Sequence, residues 1–167
     1  MITLYNVISS DGYIAERNGG EGFIPDEIWF DFILLCQDYH VLIMGRKTYE
    51  ALQKYDVSLL EQLERLTIEK VVVSQNANFQ PKTGYKKLSS LLGIDPDDGK
   101  ILLSSGPSLN TAFLRLGLID YALLNILPVS ISAGMKIFND GVEPSLTLIH
   151  EEKKEGGRKL CFYQVEN

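Results

Sequence analysis

Val41-Leu42-Ile43-Met44-Gly45-Arg46-Lys47-Thr48 reads as a short, nearly all-apolar strand that ends in glycine where a helix begins. The pattern returns at Ile101-Leu102-Leu103-Ser104-Ser105-Gly106-Pro107-Ser108. A strand that is apolar at successive positions has both faces covered, as in a parallel sheet flanked by helices. Glycine at the turn lets a ligand approach the backbone, and the free N–H groups and dipole of a helix N-terminus favour an anion such as phosphate. Each stretch alone reads more readily as an ordinary strand-to-helix turn. Two of them at the carboxyl edge of one open sheet are placed to pinch a pyrophosphate.

Upstream, Ile2 to Ser9 reads as a strand, followed by a polar, Gly-rich loop from Ser10 to Gly22. Pro25, Asp26 and Glu27 open a helix, since Pro suits the first turn and acids favour the positive end. Ile28, Phe32, Leu35, Cys36 and Tyr39 then recur at helical spacing. Arg46 to Gln53 and Ser58 to Leu66 are predicted helical, Glu69 to Ser74 a buried strand, and Leu88 to Leu92 at most a short helix. After the strand from Lys100 to Ser104, a helix presents Leu109, Ala112, Phe113 and Leu116 on one face until Gly117 stops it. Tyr121 to Leu127 is a long apolar strand, with shorter ones expected at Pro128 to Phe138, Ser145 to Ile149 and Lys159 to Val165. Helices alternate with strands early and strands follow strands late. That order predicts an α/β fold in one domain over residues 1–167, a mostly parallel central sheet flanked by helices and extended by a C-terminal antiparallel hairpin.

Composition narrows the function. At 167 residues with 45% hydrophobic and 23% charged residues, the chain can bury a core and is expected to be a water-soluble, cytoplasmic protein. Its net charge is −6, and the Lys and Arg residues are scattered, which argues against nucleic acid as a partner. Cys36 and Cys161 stand far apart with no ligand spacing around them, so no disulfide framework and no metal site is expected. His40 and His150 read as structural or surface residues, Trp29 and Phe30 as core or subunit-contact residues. The charged cluster from Glu151 to Arg158 reads as a solvated hairpin turn.

Four motifs in register carry a resemblance: Ser9-Ser10-Asp11-Gly12-Tyr13-Ile14-Ala15, Ile43 to Glu50, Ser105-Gly106-Pro107-Ser108-Leu109, and Leu127-Pro128-Val129 with Gly134-Met135-Lys136-Ile137-Phe138. Together they resemble the dihydrofolate-reductase superfamily, most of all the branch that includes the reductase domain of riboflavin biosynthesis. The resemblance implies a homodimeric reductase of a pterin-like or pyrimidine-like small molecule that uses NADPH. It places the cofactor phosphates at Gly45, Arg46, Lys47 and Thr48 and at Ser105, Gly106, Pro107, Ser108 and Leu109. Ser74 and Gln75 would lie near the adenosine end, and Ala15 near the nicotinamide. Hydride would pass to a polarised C=N or C=O bond, with a proton from an acid or a held water.

The sequence also departs from that pattern. Ser105 stands where relatives carry a first glycine, and Val73-Ser74-Gln75-Asn76 lacks the Arg that often meets a 2′-phosphate, leaving Arg46, Lys47 and Ser74 for that role. Asp31 follows Glu27 by one turn where folate enzymes place an aromatic, which makes dihydrofolate reductase proper the second reading. A nucleotide-binding module without chemistry is the third. Three acids are candidates for catalysis. Glu27 occupies the position of the folate enzymes' acid, Asp31 neighbours it at i+4, and Asp11 is either a site residue or a turn residue before Gly12.

Overall fold

The computed structural model describes residues 1–95, 97 and 99–166. Strand β1 (Ile2–Ile8) lies near the middle of an eight-stranded sheet whose order is β5-β4-β3-β6-β1-β7-β10-β9. Here β3 is Val41–Gly45, β4 Glu69–Val73, β5 Lys86–Leu88, β6 Ile101–Leu103, β7 Tyr121–Ile126, β9 Ser145–Lys153 and β10 Lys159–Glu166. Every pairing from β5 across to β7 is parallel, and β10 then runs antiparallel to both β7 and β9. The expected architecture is therefore the one found.

Alternation along the central strands explains their unbroken hydrophobicity. Leu42 and Met44 enter the core beneath α1 (Glu27–Cys36), α2 (Arg46–Leu52) and α3 (Val57–Glu64), where Phe32, Leu52 and Leu63 meet them. Ile43, between them in sequence, faces the opposite core with Leu4, Leu103 and Phe113, the last from α4 (Pro107–Arg115). Fully burying one such side chain is worth about 1.5–3 kcal/mol, so a polar residue at either set would be costly.

Four details differ from the sequence reading. Within the expected Ser10 to Gly22 loop, Tyr13–Ala15 forms β2 and pairs with Met135–Lys136, β8. The strand expected over Pro128 to Phe138 shrinks to that β8 pair. Ser132 adopts a positive φ of 66°, and the segment curls around Asp11 instead of extending. Gly134 is obligatory there, because a Cβ on it would collide with the carbonyl oxygen of Ala15. On α4 the buried residues are Asn110, Thr111 and Phe113, while Leu116 is 55% exposed. Finally, β5 is a parallel edge strand missed because two of its three residues are lysines, and β9 runs on through Lys153.

Candidate functional site

Strands β3, β4 and β6 run in parallel and stop at one sheet edge, above which a cleft of about 1530 Å³ opens. All the cofactor positions read from the sequence line it. Gly45, Arg46, Lys47 and Thr48 come from β3 and α2, Ser74 and Gln75 follow β4, Ser105 to Leu109 join β6 to α4, and Ala15 ends β2.

At its centre the two glycine turns touch. The Gly45 N–H donates to Ser105 Oγ at 3.1 Å, and a Cβ on Gly45 would sit 3.0 Å from that same oxygen. A side chain at 45 would therefore press on the Ser105 hydroxyl that ties the two turns together. Gly106 differs: a Cβ there would meet nothing within 4 Å, and its φ of −87° is one any residue adopts. Its backbone therefore borders open cleft. Ser105, the departure from a glycine pair, uses its hydroxyl as the acceptor that ties the two turns together.

Beneath them lies a polar network that the sequence reading missed. The Ser105 carbonyl accepts from Asn6 Nδ2 at 3.0 Å and from Asn110 Nδ2 at 3.1 Å. Asn110 Nδ2 also lies 3.1 Å from Asn6 Oδ1 and 2.9 Å from the Ile137 carbonyl. Both asparagines are buried. The available signal was a lone Asn inside an apolar strand, since a buried amide needs a partner and here the partner is the turn.

The cations are not equivalent. Arg46 is held by Glu50 one turn on, at 3.0 Å, whereas Lys47 is exposed and has no ion pair among the described residues. Ser74 is buried and its Oγ accepts from the Asn76 N–H at 3.2 Å, while Gln75 is exposed.

The other end of the cleft is aromatic. Tyr5 stacks on Phe32 with centroids 5.6 Å apart, Trp29 lies 5.7 Å from Phe32, and Tyr55 lies 5.2 Å from Trp29. All four line the cleft, so Trp29 forms its wall. Trp29 Nε1 is buried without a partner. Glu21, within the Gly-rich loop, also lines this end and accepts from the Tyr55 hydroxyl at 3.2 Å. Surrounding protein raises the Glu21 pKa above the ordinary glutamate value, and the Tyr55 hydrogen bond opposes that rise. Burial, with the Glu21 charge adding to it, pushes the Tyr55 hydroxyl up to about 12.

The structure separates the three acids read as catalytic, and none of them lines this cleft. Residues 25, 26, 28, 29 and 32 at the start of the first helix line it, and the exposed Glu27 is not among them. Asp31 pairs with Arg158 at 2.8 Å and lines a separate cavity of about 250 Å³ beyond Tyr5. The Glu151 to Arg158 cluster is thus not wholly solvated, since Arg158 reaches back to α1. Asp11 accepts from Ser9 Oγ, Ser130 Oγ and the Ile131 and Ser132 amides, and these donors, Ser9 first, hold its carboxyl well below the usual range. It is an ionised staple between two loops, unsuited to giving up a proton.

Remaining features are structural. His40 Nδ1 accepts from the Lys100 amide, and burial pushes the Cys36 thiol up to about 12, leaving it unreactive. Among the described residues no cluster of His, Cys, Asp or Glu is arranged to hold a metal, and no helix is long and apolar enough to cross a membrane.

No protein-family model and no curated protein matches the chain by sequence. Solved structures do match. A protein assigned to riboflavin biosynthesis from Shewanella sp. PV-4 superposes with a TM-score of 0.79 at 20% identity, over 99% of both chains. The diaminohydroxyphosphoribosylaminopyrimidine deaminase/5-amino-6-(5-phosphoribosylamino)uracil reductase of Thermotoga maritima gives 0.72 at 14% identity, over 99% of this chain and 56% of that one. Dihydrofolate reductase from Enterococcus faecalis, complexed with NADP(H), gives 0.66 at 15% identity, over 100% of this chain and 97% of that one. The chain has the dihydrofolate-reductase-like fold shared by these structures.

Proposed function

We propose that this chain is an NADPH-dependent reductase of a small pterin-like or pyrimidine-like heterocycle, acting as one domain in a cytoplasmic homodimer. The observation that carries this reading is the union, in one cleft, of two linked glycine turns, with open space over Gly106, and an aromatic wall. The residues present fit the cofactor: over Gly106 there is room that a side chain would fill, and the Ser105–Gly45 bond holds the two turns as one cradle. Gly45 to Thr48 and Ser105 to Leu109 would hold the phosphates, Lys47 with Arg46, Ser74 and Gln75 the adenosine end, and Ala15 the nicotinamide edge. When bound, NADPH supplies a hydride. The protein's part is to hold a flat substrate against Trp29 and Phe32, exclude water and deliver a proton.

Gly106→Val tests the assignment, because its branched side chain enters the cleft without backbone strain. We expect NADPH binding, followed by fluorescence titration, to weaken at least about 100-fold while the thermal midpoint stays within about 2 °C of wild type. Normal binding by this variant overturns the cofactor site. Binding without oxidation of NADPH in the presence of dihydropterins or aminouracils supports the module without chemistry instead.

A further inference from the structure

We propose that Glu21, presented by the loop before α1 and held by Tyr55, is the proton donor to the substrate, replacing an acid on the helix itself. The inference rests on the reductase reading and deepens it. On α1 the cleft-facing positions are occupied by Ile28, Trp29 and Phe32, which have no proton to give a polarised double bond; Trp29 Nε1 is buried in any case. Glu21 stands at the aromatic end, where Tyr55 touches both the carboxylate and the ring of Trp29. A planar substrate lying on Trp29 would therefore have its edge beside the Glu21 carboxyl.

The charged and titratable groups sharing this stretch of wall are Arg17 on the same loop, Asp26 before α1, and Lys54, Tyr55 and Asp56 between α2 and α3, with the Glu16 carboxylate beside Gly20 and Gly22. What shifts Glu21 is the protein surrounding it, which favours the neutral acid, and the Tyr55 hydroxyl, which favours the carboxylate. Glu21 is still exposed in the open cleft, and a bound cofactor and substrate would remove more water from it.

The step balances. A C–H bond forms at the substrate carbon with the hydride from the reduced nicotinamide. The O–H bond of Glu21 breaks, and a new N–H or O–H forms at the other end of the former double bond. The substrate gains two electrons, NADP⁺ is left, and the Glu21 carboxylate is reprotonated from water.

The test uses the full chain with NADPH, and a dihydropterin and an aminouracil as probes. The Glu21 carboxyl is titrated by ¹³C NMR in wild type and Tyr55→Phe, and turnover is followed against pH in both and in Glu21→Gln and Glu21→Asp. Because protonated Glu21 carries the reaction, turnover is present below its pKa and lost above it. Losing the Tyr55 donor should raise that pKa and move the falling limb to higher pH by the same amount. Glu21→Gln should lose about 100-fold in rate and its pH limb with NADPH affinity unchanged, and Glu21→Asp should recover part of the rate. Full turnover by Glu21→Gln, or a limb that stays put in Tyr55→Phe, overturns the proposal while leaving the reductase reading intact. If neither probe turns over, a Glu21 that titrates at the ordinary glutamate value or fails to rise in Tyr55→Phe overturns it. Failure of wild type to bind NADPH overturns the reductase reading, and this inference with it.

Discussion

Lys47 and Arg46 are adjacent in sequence and alike in charge, yet the fold gives them different neighbours. Glu50 lies one helical turn from Arg46 and holds its guanidinium, so Arg46 would have to leave that ion pair to meet a ligand. Lys47 would not. If the cleft holds NADPH, Lys47 is the cation best placed for the extra phosphate that distinguishes it from NADH. A charge-assisted hydrogen bond contributes roughly 1.5–3 kcal/mol, or about 10 to 100-fold in affinity. Lys47→Ala should therefore weaken NADPH by that factor and NADH by less than about threefold in parallel titrations. Equal losses would assign Lys47 to the shared pyrophosphate, and no loss would pass the role to Arg46. Asn110 shows a different kind of dependence. Its amide serves three acceptors, two of them backbone carbonyls, so its contribution is to the shape of the Ser105 turn and not to ligand contact.

At the level of elements, what could be read from the sequence was what repeats. The apolar runs of β3, β6 and β7 and the glycine-to-helix turns have local causes, and they led to the parallel sheet and to the residues lining the cleft. What escaped depends on partners distant in sequence. β2 exists because Gly134 lets another segment's backbone lie against Ala15. The helical phase of α1, which turns Glu27 out and Trp29 in, depends on how the helix docks, and a shift of one residue changes which face meets the cleft. Glu21 was hidden in a loop with no periodicity to mark it. β9 is the element with most left unsatisfied: it forms one edge of the sheet, is exposed along its whole length, and carries Leu146, Leu148 and Ile149. Such an edge is a template for pairing or packing with another chain. If the chain forms the proposed homodimer through this edge, Leu148→Lys should convert a dimer to a monomer in light scattering coupled to size exclusion, with the far-UV circular dichroism unchanged. A variant that stays dimeric moves the interface elsewhere.

For the whole molecule, cleft and sheet are coupled, because the turns that line the cleft are the ends of strands central to the sheet. A ligand that binds there should stabilise the entire fold. At 100 times its dissociation constant, a ligand specific for the native state adds about 2.7 kcal/mol, which for a chain of this size corresponds to a rise of about 5–10 °C in thermal midpoint. NADPH should produce that rise in wild type and none in Gly106→Val. An unchanged wild-type midpoint at saturating NADPH would speak against the site. The same sheet order has a consequence for how the protein is made. β10 lies between β7 and β9, although it is the last of the three to be synthesised. While the ribosome is still adding residues beyond Lys153, β9 has already been made with Leu146 and Leu148 along it, and the strand that will hold it has not. Because β9 pairs with β10 alone among the described strands, it can join the sheet only once β10 has been made and set against β7, so the C-terminal hairpin is the last part of the sheet to close.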